Sequence, residues 1–299
     1  MKKLKNHTTY YYTEQRTFTE PLDNVHYFIK RNYEIGMHKQ NFFEINIIIR
    51  GKGKHYIDDS LIDAEVGDVF IIPPDVEHGY TGGEGFDVYH IIVSNSFMQK
   101  NFVDLQSING FSTLFKVEPI IRGKINNHLH LKLKDMQLKA FEKMLMERKN
   151  KRPIFTPENW IVNSSCFLII VTKLCEAYIE NINLPNSDVD VNDSYFMRAL
   201  SLIHERFNEK LSIAELAAEA HLSESTFMRR FLSVCKQTPF EYIIERRIEA
   251  AKNMLINTNA TMIEIAEKVG FYDSSHLCRT FKKISGITPK EYRRMKIEN

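Results

Sequence analysis

Two short stretches of the chain carry the same kinds of side chain at the same spacing. One is Glu224–Val234, ESTFMRRFLSV, and the other is Ser274–Ile284, SSHLCRTFKKI. Phe227 with Phe231, and Leu277 with Phe281, stand four residues apart, so each pair would bury one face of a helix. The side chains left outside are Ser225, Thr226, Met228 and Arg229 in the first stretch, and Ser275, His276, Arg279 and Lys282 in the second. Hydroxyl, imidazole, ammonium and guanidinium groups on the outer face of a short helix can reach base edges and phosphates in the major groove of double-stranded DNA. A solvated face of a helical bundle would use some of the same residues. What positions the two helices therefore decides the reading.

Each stretch follows a small-residue helix and a short turn. The first unit reads IAELAAEA, HLS and then the outer helix; the second reads IEIAEKV, GFYD and then the outer helix. Ala217 and Ala266 let the paired helices approach closely, and Gly270 suits a turn that needs positive φ. Hydroxyl residues followed by glutamate three positions on predict capping boxes at Ser212–Glu215, Thr238–Glu241, Thr261–Glu264 and Thr288–Glu291. Pro239 and Pro289 stand at the first helical position after two of these caps. The copies are offset by 49 to 50 residues, with one extra residue in the second turn. Two copies with matched caps outweigh the bundle reading. A connecting helix over about 239–256 would be roughly 27 Å long, against about 34 Å between successive major-groove faces. Two outer helices tied by such a rod read two windows of DNA where one reads too few bases.

Residues Gly270-Phe271, Arg279, Phe281-Lys282, Gly286, Thr288-Pro289 and Tyr292-Arg293, with Arg247-Ile248 and Ala251, resemble the signature of the AraC family of bacterial transcription regulators. The resemblance covers about 100 residues. It implies a seven-helix DNA-binding domain with paired helix-turn-helix units. It also implies that Ser225, Met228 and Arg229, then Ser275, His276 and Arg279, face the bases. Met228 departs from the polar residues common at its place, where an apolar contact with a thymine methyl replaces a hydrogen bond.

The rest of the chain fits a second domain. Its 299 residues are 43% hydrophobic and 26% charged, ordinary for a globular protein of two domains. From Ser194 onward there are 17 Lys and Arg against 13 Asp and Glu, which makes the C-terminal third the basic part of a chain whose net charge is +2. Cys166, Cys175, Cys235 and Cys278 form no C-x-x-C pair, which points to reduced thiols and the cytoplasm. The basic N-terminus has no apolar run behind it, so no signal peptide is expected. The apolar stretch WIVNSSCFLIIVTKLCEAYI is interrupted by Asn163, Ser164, Ser165, Lys173 and Glu176 and reads as a buried or interface helix, with no membrane association expected. Residues 25–93 read as short strands with frequent turns, an antiparallel sandwich or barrel. Over 131–149, Leu133, Met136, Ala140 and Met144 fall at helical spacing, and a second helix covers about 158–180. The polar run NINLPNSDVDVNDS predicts a linker. The expectation is an α+β chain: a barrel domain with flanking helices over 1–182, a linker over 183–193 and an all-α DNA-binding domain over 194–299.

Within the first domain, GMHKQNFFEINIIIRG and GDVFIIPPDVEHGY resemble the two halves of a cupin barrel. The resemblance places His38, Gln40, Glu44 and His78 where metal-binding cupins hold their ligands, a donor set suited to Fe, Mn or Ni. Gln40 stands where a histidine is usual, Asp75 where a glycine is usual, and the asparagine that often ends the second motif is absent. Three readings follow in order: hydrogen-bonded barrel histidines, contacts to a small effector, and metal ligands. No metal or cofactor is expected, and His38, Glu44 and His78 are the effector-contact candidates. The whole reads as an effector-responsive transcription regulator and not an enzyme. It would act as an activator and a homodimer that engages RNA polymerase, with a sugar as the family-level effector. A cupin-type metal enzyme fused to a DNA-binding domain is the alternative, and an architectural DNA binder is the third reading.

Overall fold

The structure is a computed structural model and describes residues 10–18, 24–57, 60–122, 130–146, 157–182 and 191–294. The chain divides into two compact units, Met1–Asp190 and Val191–Asn299. Residues 183–190 of the expected linker lie outside the described residues, whereas residues 191–193 belong to the first helix of the second unit, Val191–Arg206. Asp193 explains the earlier start: it sits in that helix's first turn, is buried, and pairs with Arg230.

In the first unit, strands β1 (Tyr10–Tyr12), β2 (Val25–Lys30), β3 (Ile35–Gln40), β4 (Phe43–Arg50), β5 (Lys52–Ile57), β6 (Ser60–Glu65), β7 (Asp68–Ile72), β8 (His78–Thr81), β9 (Asp87–Val93) and β10 (Leu131–Lys132) make two five-stranded sheets. One has the order β1-β3-β8-β5-β6 and the other β10-β7-β4-β9-β2. All pairings are antiparallel except β1 on β3. The sheets share an interior in which Tyr33, Ile48, Ala64, Phe70, Tyr80, Phe86 and Val88 pack together.

Strand β4 shows how sequence sets the two faces. Side chains alternate along a strand, so Glu44, Asn46 and Ile48 share one face and Ile45 and Ile47 the other. All five are buried. The outer face carries the isoleucines because helices cover it. After the helices α1 (Glu14–Thr17), α2 (Asn95–Gln106) and α3 (Glu118–Ile121), helix α4 (Asp135–Met146) is tied to the sheet by the Tyr89 hydroxyl, which donates to the Leu145 carbonyl at 3.1 Å. Helix α5 (Pro157–Ile182) is tied by the Tyr27 hydroxyl, which donates to the Asn163 carbonyl at 2.8 Å. Residues Glu158–Asn181 are long and apolar enough to cross a membrane by composition. Phe167, Ile170, Val171 and Leu174 within them are fully buried in the fold.

The expected stripe of α4 is corrected. Leu138, Phe141 and Leu145 face the sheet, while Met136 and Ala140 are exposed, Met144 is half-buried, and Leu133 precedes the helix. Two apolar stripes at helical spacing are interleaved on α4, and packing selects the bulkier one.

The second unit is all helix. It contains α6 (Val191–Arg206), α7 (Ile213–Glu219), α8 (Glu224–Cys235), α9 (Pro239–Asn257), α10 (Met262–Lys268), α11 (Ser274–Ser285) and α12 (Pro289–Arg294). The stripe Phe196, Ala199, Leu200 and Ile203 of α6 is buried. Reciprocal capping boxes form at Thr238–Glu241 and Thr261–Glu264. Thr288 and Glu291 make the same pair of bonds. These bonds hold Glu241, Glu264 and Glu291 below the ordinary carboxylate range. Ser212 departs from the expectation. Its hydroxyl accepts from the Glu215 N–H at 3.1 Å, but the Glu215 carboxylate bonds Arg206 at 2.6 Å instead of returning to the cap.

Candidate nucleic-acid interface and barrel site

Helices α7 with α8, and α10 with α11, make two helix-turn-helix units that match in detail. In the first turn the His221 N–H donates to Ala218 and the Leu222 N–H to Ala217; in the second, Gly270 donates to Glu267 and Phe271 to Ala266. The residue that turns the corner has φ 52° in His221 and 83° in Gly270. Glycine is required at the second site because a Cβ there would meet the Asn208 carbonyl oxygen at 2.3 Å. Ser223 and Asp273 then cap the outer helices, accepting from the N–H groups of Thr226 and His276.

Phe227 and Phe231 are fully buried against Phe196, and Phe231 also meets Tyr242 edge-on. Leu277 and Phe281 are buried with Ile248, Ala251 and Leu255 of α9. Burial of these anchors turns the opposite face out. Ser225 and Arg229 are exposed, as are Ser275, His276, Arg279 and Lys282; Thr226 and Met228 are half-buried. Thr226 is partly committed to its own helix, since its hydroxyl accepts from Ser223 at 2.9 Å.

Arginines divide by what they touch. Arg230 pairs with Asp193 and lies over the Phe196 ring at 4.8 Å, so it joins α8 to α6. Arg247 of α9 donates to three backbone carbonyls: Phe207 at 2.7 Å, Gly270 at 2.5 Å and Glu209 at 2.8 Å. Arg229 and Arg279 have no acceptor among the described residues. Each therefore offers a full guanidinium fork to an outside ligand.

In the barrel, His38 and His78 are register partners on β3 and β8. Glu44 and His90 are diagonal neighbours on the inner face, since His90 pairs with Asn46 and Glu44 with Ile92. All four are buried. The Glu44 carboxylate lies 2.6 Å from His90 Nδ1 through Oε1 and 3.3 Å from His78 Nε2 through Oε2. The ligating atoms of His38, Glu44 and His78 lie within 4.8 Å of one another. Burial alone would raise the Glu44 pKa; the imidazoles of His78 and His90 overcome it and hold the carboxyl well below its ordinary range. Burial, then His78, push His38 below the usual imidazole value.

The structure thus brings together the three candidates His38, Glu44 and His78, with Gln40 beside them. It adds residues that the sequence reading did not single out. His90 reaches Glu44. His55 stacks on Tyr80 with centroids 4.2 Å apart, and the Tyr80 hydroxyl accepts from Asn46 Nδ2 at 3.1 Å. The available signal was parity: His90 interrupts the apolar strand DVYHIIV at an inward position, as Asn46 does on β4.

Residues 25–152 match the family described as AraC-like ligand binding domain, and residues 216–295 match a helix-turn-helix domain. The chain is 23% identical over 265 residues to the Msm operon regulatory protein of Streptococcus mutans, covering 88% of each chain. It is 22% identical over 293 residues to the HTH-type transcriptional activator RhaR of Mannheimia succiniciproducens, covering 96% of this chain and 95% of that one. Among solved structures it is similar to the DNA-binding domain of AdpA in complex with a target DNA, with 28% identity, 34% of this chain and 91% of that one covered, and a TM-score of 0.33. An AraC-like ligand-binding domain followed by a paired helix-turn-helix domain, with similarity to transcription regulators along nearly the whole length, makes this chain a member of the AraC family of DNA-binding transcription regulators.

Proposed function

We propose that the chain is a transcription activator that reads its operator through α8 and α11 and answers a small molecule held in the barrel. The observation that carries this reading is the pair Arg229 and Arg279. Each stands exposed on a capped helix with buried anchors behind it and no acceptor among the described residues. Ser225, Thr226, Met228, Ser275, His276 and Lys282 complete the two faces. His38, Glu44 and His78 are the effector contacts. Relatives named as activators support the sign of the response, and with it contact to RNA polymerase in the cytoplasm. The regulatory relatives favour this over the enzyme alternative.

Homodimerisation through α4 and α5 brings two such readers to one operator. Met136, Ile161, Val162 and Ile169 are exposed there. Ala140, Phe141, Met144, Ile169 and Ala177 line a groove of about 270 Å³ edged by Lys173, Glu176 and Glu180. The working division is a sensor over 1–182 and a reader that begins with α6 at Val191.

Arg229→Ala tests the reading. A bidentate contact to guanine contributes about 1–3 kcal/mol of discrimination, so affinity for operator DNA should fall about tenfold to a hundredfold with less loss on random DNA. Unchanged affinity for both would remove the first unit as the reader.

A further inference from the structure

The carbonyl partners of two barrel histidines fix which nitrogen faces inward. His38 Nδ1 lies 3.0 Å from the Gly36 carbonyl oxygen and His78 Nδ1 lies 3.3 Å from that of Val76. A carbonyl oxygen only accepts, so each Nδ1 holds the ring proton and each Nε2 turns a lone pair inward. His78 Nε2 then faces Glu44 Oε2 at 3.3 Å without a hydrogen bond. Two lone-pair atoms confront each other in a buried site, and something positive must sit between them. The choices are a proton on His78 Nε2, which would forgo or duplicate the 3.3 Å contact of Nδ1 with Val76, or a cation.

Three further features favour the cation. A proton would serve one pair, but the His38 imidazole converges on the same point, its ring centroid 4.2 Å from that of His78. The other carboxylate oxygen is already held by His90 Nδ1 at 2.6 Å, as the outer partner of a ligating carboxylate is. Gln40 Nε2 leans on Glu44 at 3.5 Å, while its Oε1, buried in a side chain 1% exposed, has no partner. An ion with bonds of about 2.1 Å sets its ligand atoms about 3.0–3.5 Å apart. Glu44 and His78 already stand at that separation, and His38 joins them within 4.8 Å, so closure needs only side-chain rotation.

We propose that the barrel of this regulator binds one divalent transition-metal ion through His38, Glu44 and His78, with Gln40 Oε1 as a further oxygen donor and His90 holding the carboxylate from outside. Two imidazoles with a carboxylate select the zinc, iron, manganese, cobalt and nickel group over magnesium or calcium. The proposal reverses the order reached from sequence, where the substitution at Gln40 put metal last. It deepens the effector reading of the same chamber, but binding of the ion does not depend on that reading.

The test uses the untagged full-length chain stripped with chelator and dialysed against Co²⁺ or Zn²⁺. Expected are one ion per chain and visible absorption bands from Co²⁺ in a nitrogen and oxygen shell. Glu44→Gln and His78→Ala should abolish uptake, and His90→Phe should weaken it about tenfold to a hundredfold. X-ray absorption of the zinc-loaded wild-type chain should show two imidazoles, and this readout stands even where a variant fails to fold. Arg229→Ala should leave uptake unchanged, which separates this test from that of the DNA reading. No stoichiometric uptake by the wild-type chain, or uptake that survives Glu44→Gln and His78→Ala, overturns the proposal.

Discussion

Arg247 of α9 ties the segment between α6 and α7 to the turn of the second helix-turn-helix unit, and its removal should cost more on an operator with two groove windows than on one. The guanidinium spans carbonyls of Phe207 and Glu209, just past α6, and of Gly270 in the second turn. The Phe207 side chain also packs against the core cluster that contains Val269 and Phe271. A hydrogen bond to a charged group contributes about 1.5–3 kcal/mol when buried. Arg247 is half-buried, so water recovers part of each bond after truncation. Three discounted bonds, not additive, give about 2–4 kcal/mol for Arg247→Ala. Lysine cannot reach three divergent carbonyls with one ammonium, so Arg247→Lys should lose about 1–2 kcal/mol.

The assay compares thermal unfolding with binding to a full operator and to a single window. Both variants should melt lower, in the order Ala below Lys below wild type. Their loss of affinity on the full operator should exceed the loss on one window, because the second outer helix no longer arrives in register. A lysine variant that equals wild type in both assays would show that charge alone suffices and refute the three-carbonyl argument. Equal losses on full and single windows would show that Arg247 stabilises the fold without setting spacing.

Three other outcomes follow from local geometry. Gly270→Ala adds a Cβ against the Asn208 carbonyl oxygen at a φ of 83° and should destabilise the DNA-binding unit by more than 1 kcal/mol; the reverse change in the first unit, His221→Gly, relieves φ there against the loss of the tilted ring contact with Tyr195, both read by thermal melts. Ile169→Glu places a charge in the apolar part of the α4–α5 groove, one turn from Lys173, and should shift the full-length chain from dimer to monomer in sedimentation at tens of micromolar without lowering its melting temperature; a wild-type chain that is monomeric under the same conditions refutes that interface.

The DNA-binding half was legible because its signals are local. A capping box, a small residue at a helix crossing and an i, i+4 aromatic pair each lie within five residues, and the structure returns them at Thr238, Thr261, Ala217, Ala266 and Phe227–Phe231. Where a local signal had a competitor the reading went astray. Glu215 found Arg206, and α4 offered two stripes that only packing on β9 could separate. The barrel was less legible because its chemistry is assembled by register. Nothing in the sequence places His90 next to Glu44, which is 46 residues away; the pairing of β4 with β9 does. Arg247 was visible as part of a resemblance, but its three carbonyl partners come from two separate segments. Strand β1 went unread because YYY pairs with β3 through its backbone while all three side chains stay exposed.

Candidate functional side chains in both units differ from their structural neighbours in how far the fold fills their bonding capacity. Arg230, Arg247 and His204 are filled, by Asp193, by three carbonyls and by the Tyr242 hydroxyl at 2.7 Å. Arg229 and Arg279 are left open outward, while His78 Nε2, His90 Nε2 and Gln40 Oε1 are left open inward. An unfilled buried polar atom costs about 1–3 kcal/mol, so a ligand gains on that order for each such atom that it pairs. A ligand that satisfies them recovers that energy on binding. It alters operator affinity only to the extent that it binds the DNA-competent state more tightly than the other. At about 1.4 kcal/mol per tenfold, coupling even one of these three atoms to the competent state would shift operator affinity by roughly an order of magnitude.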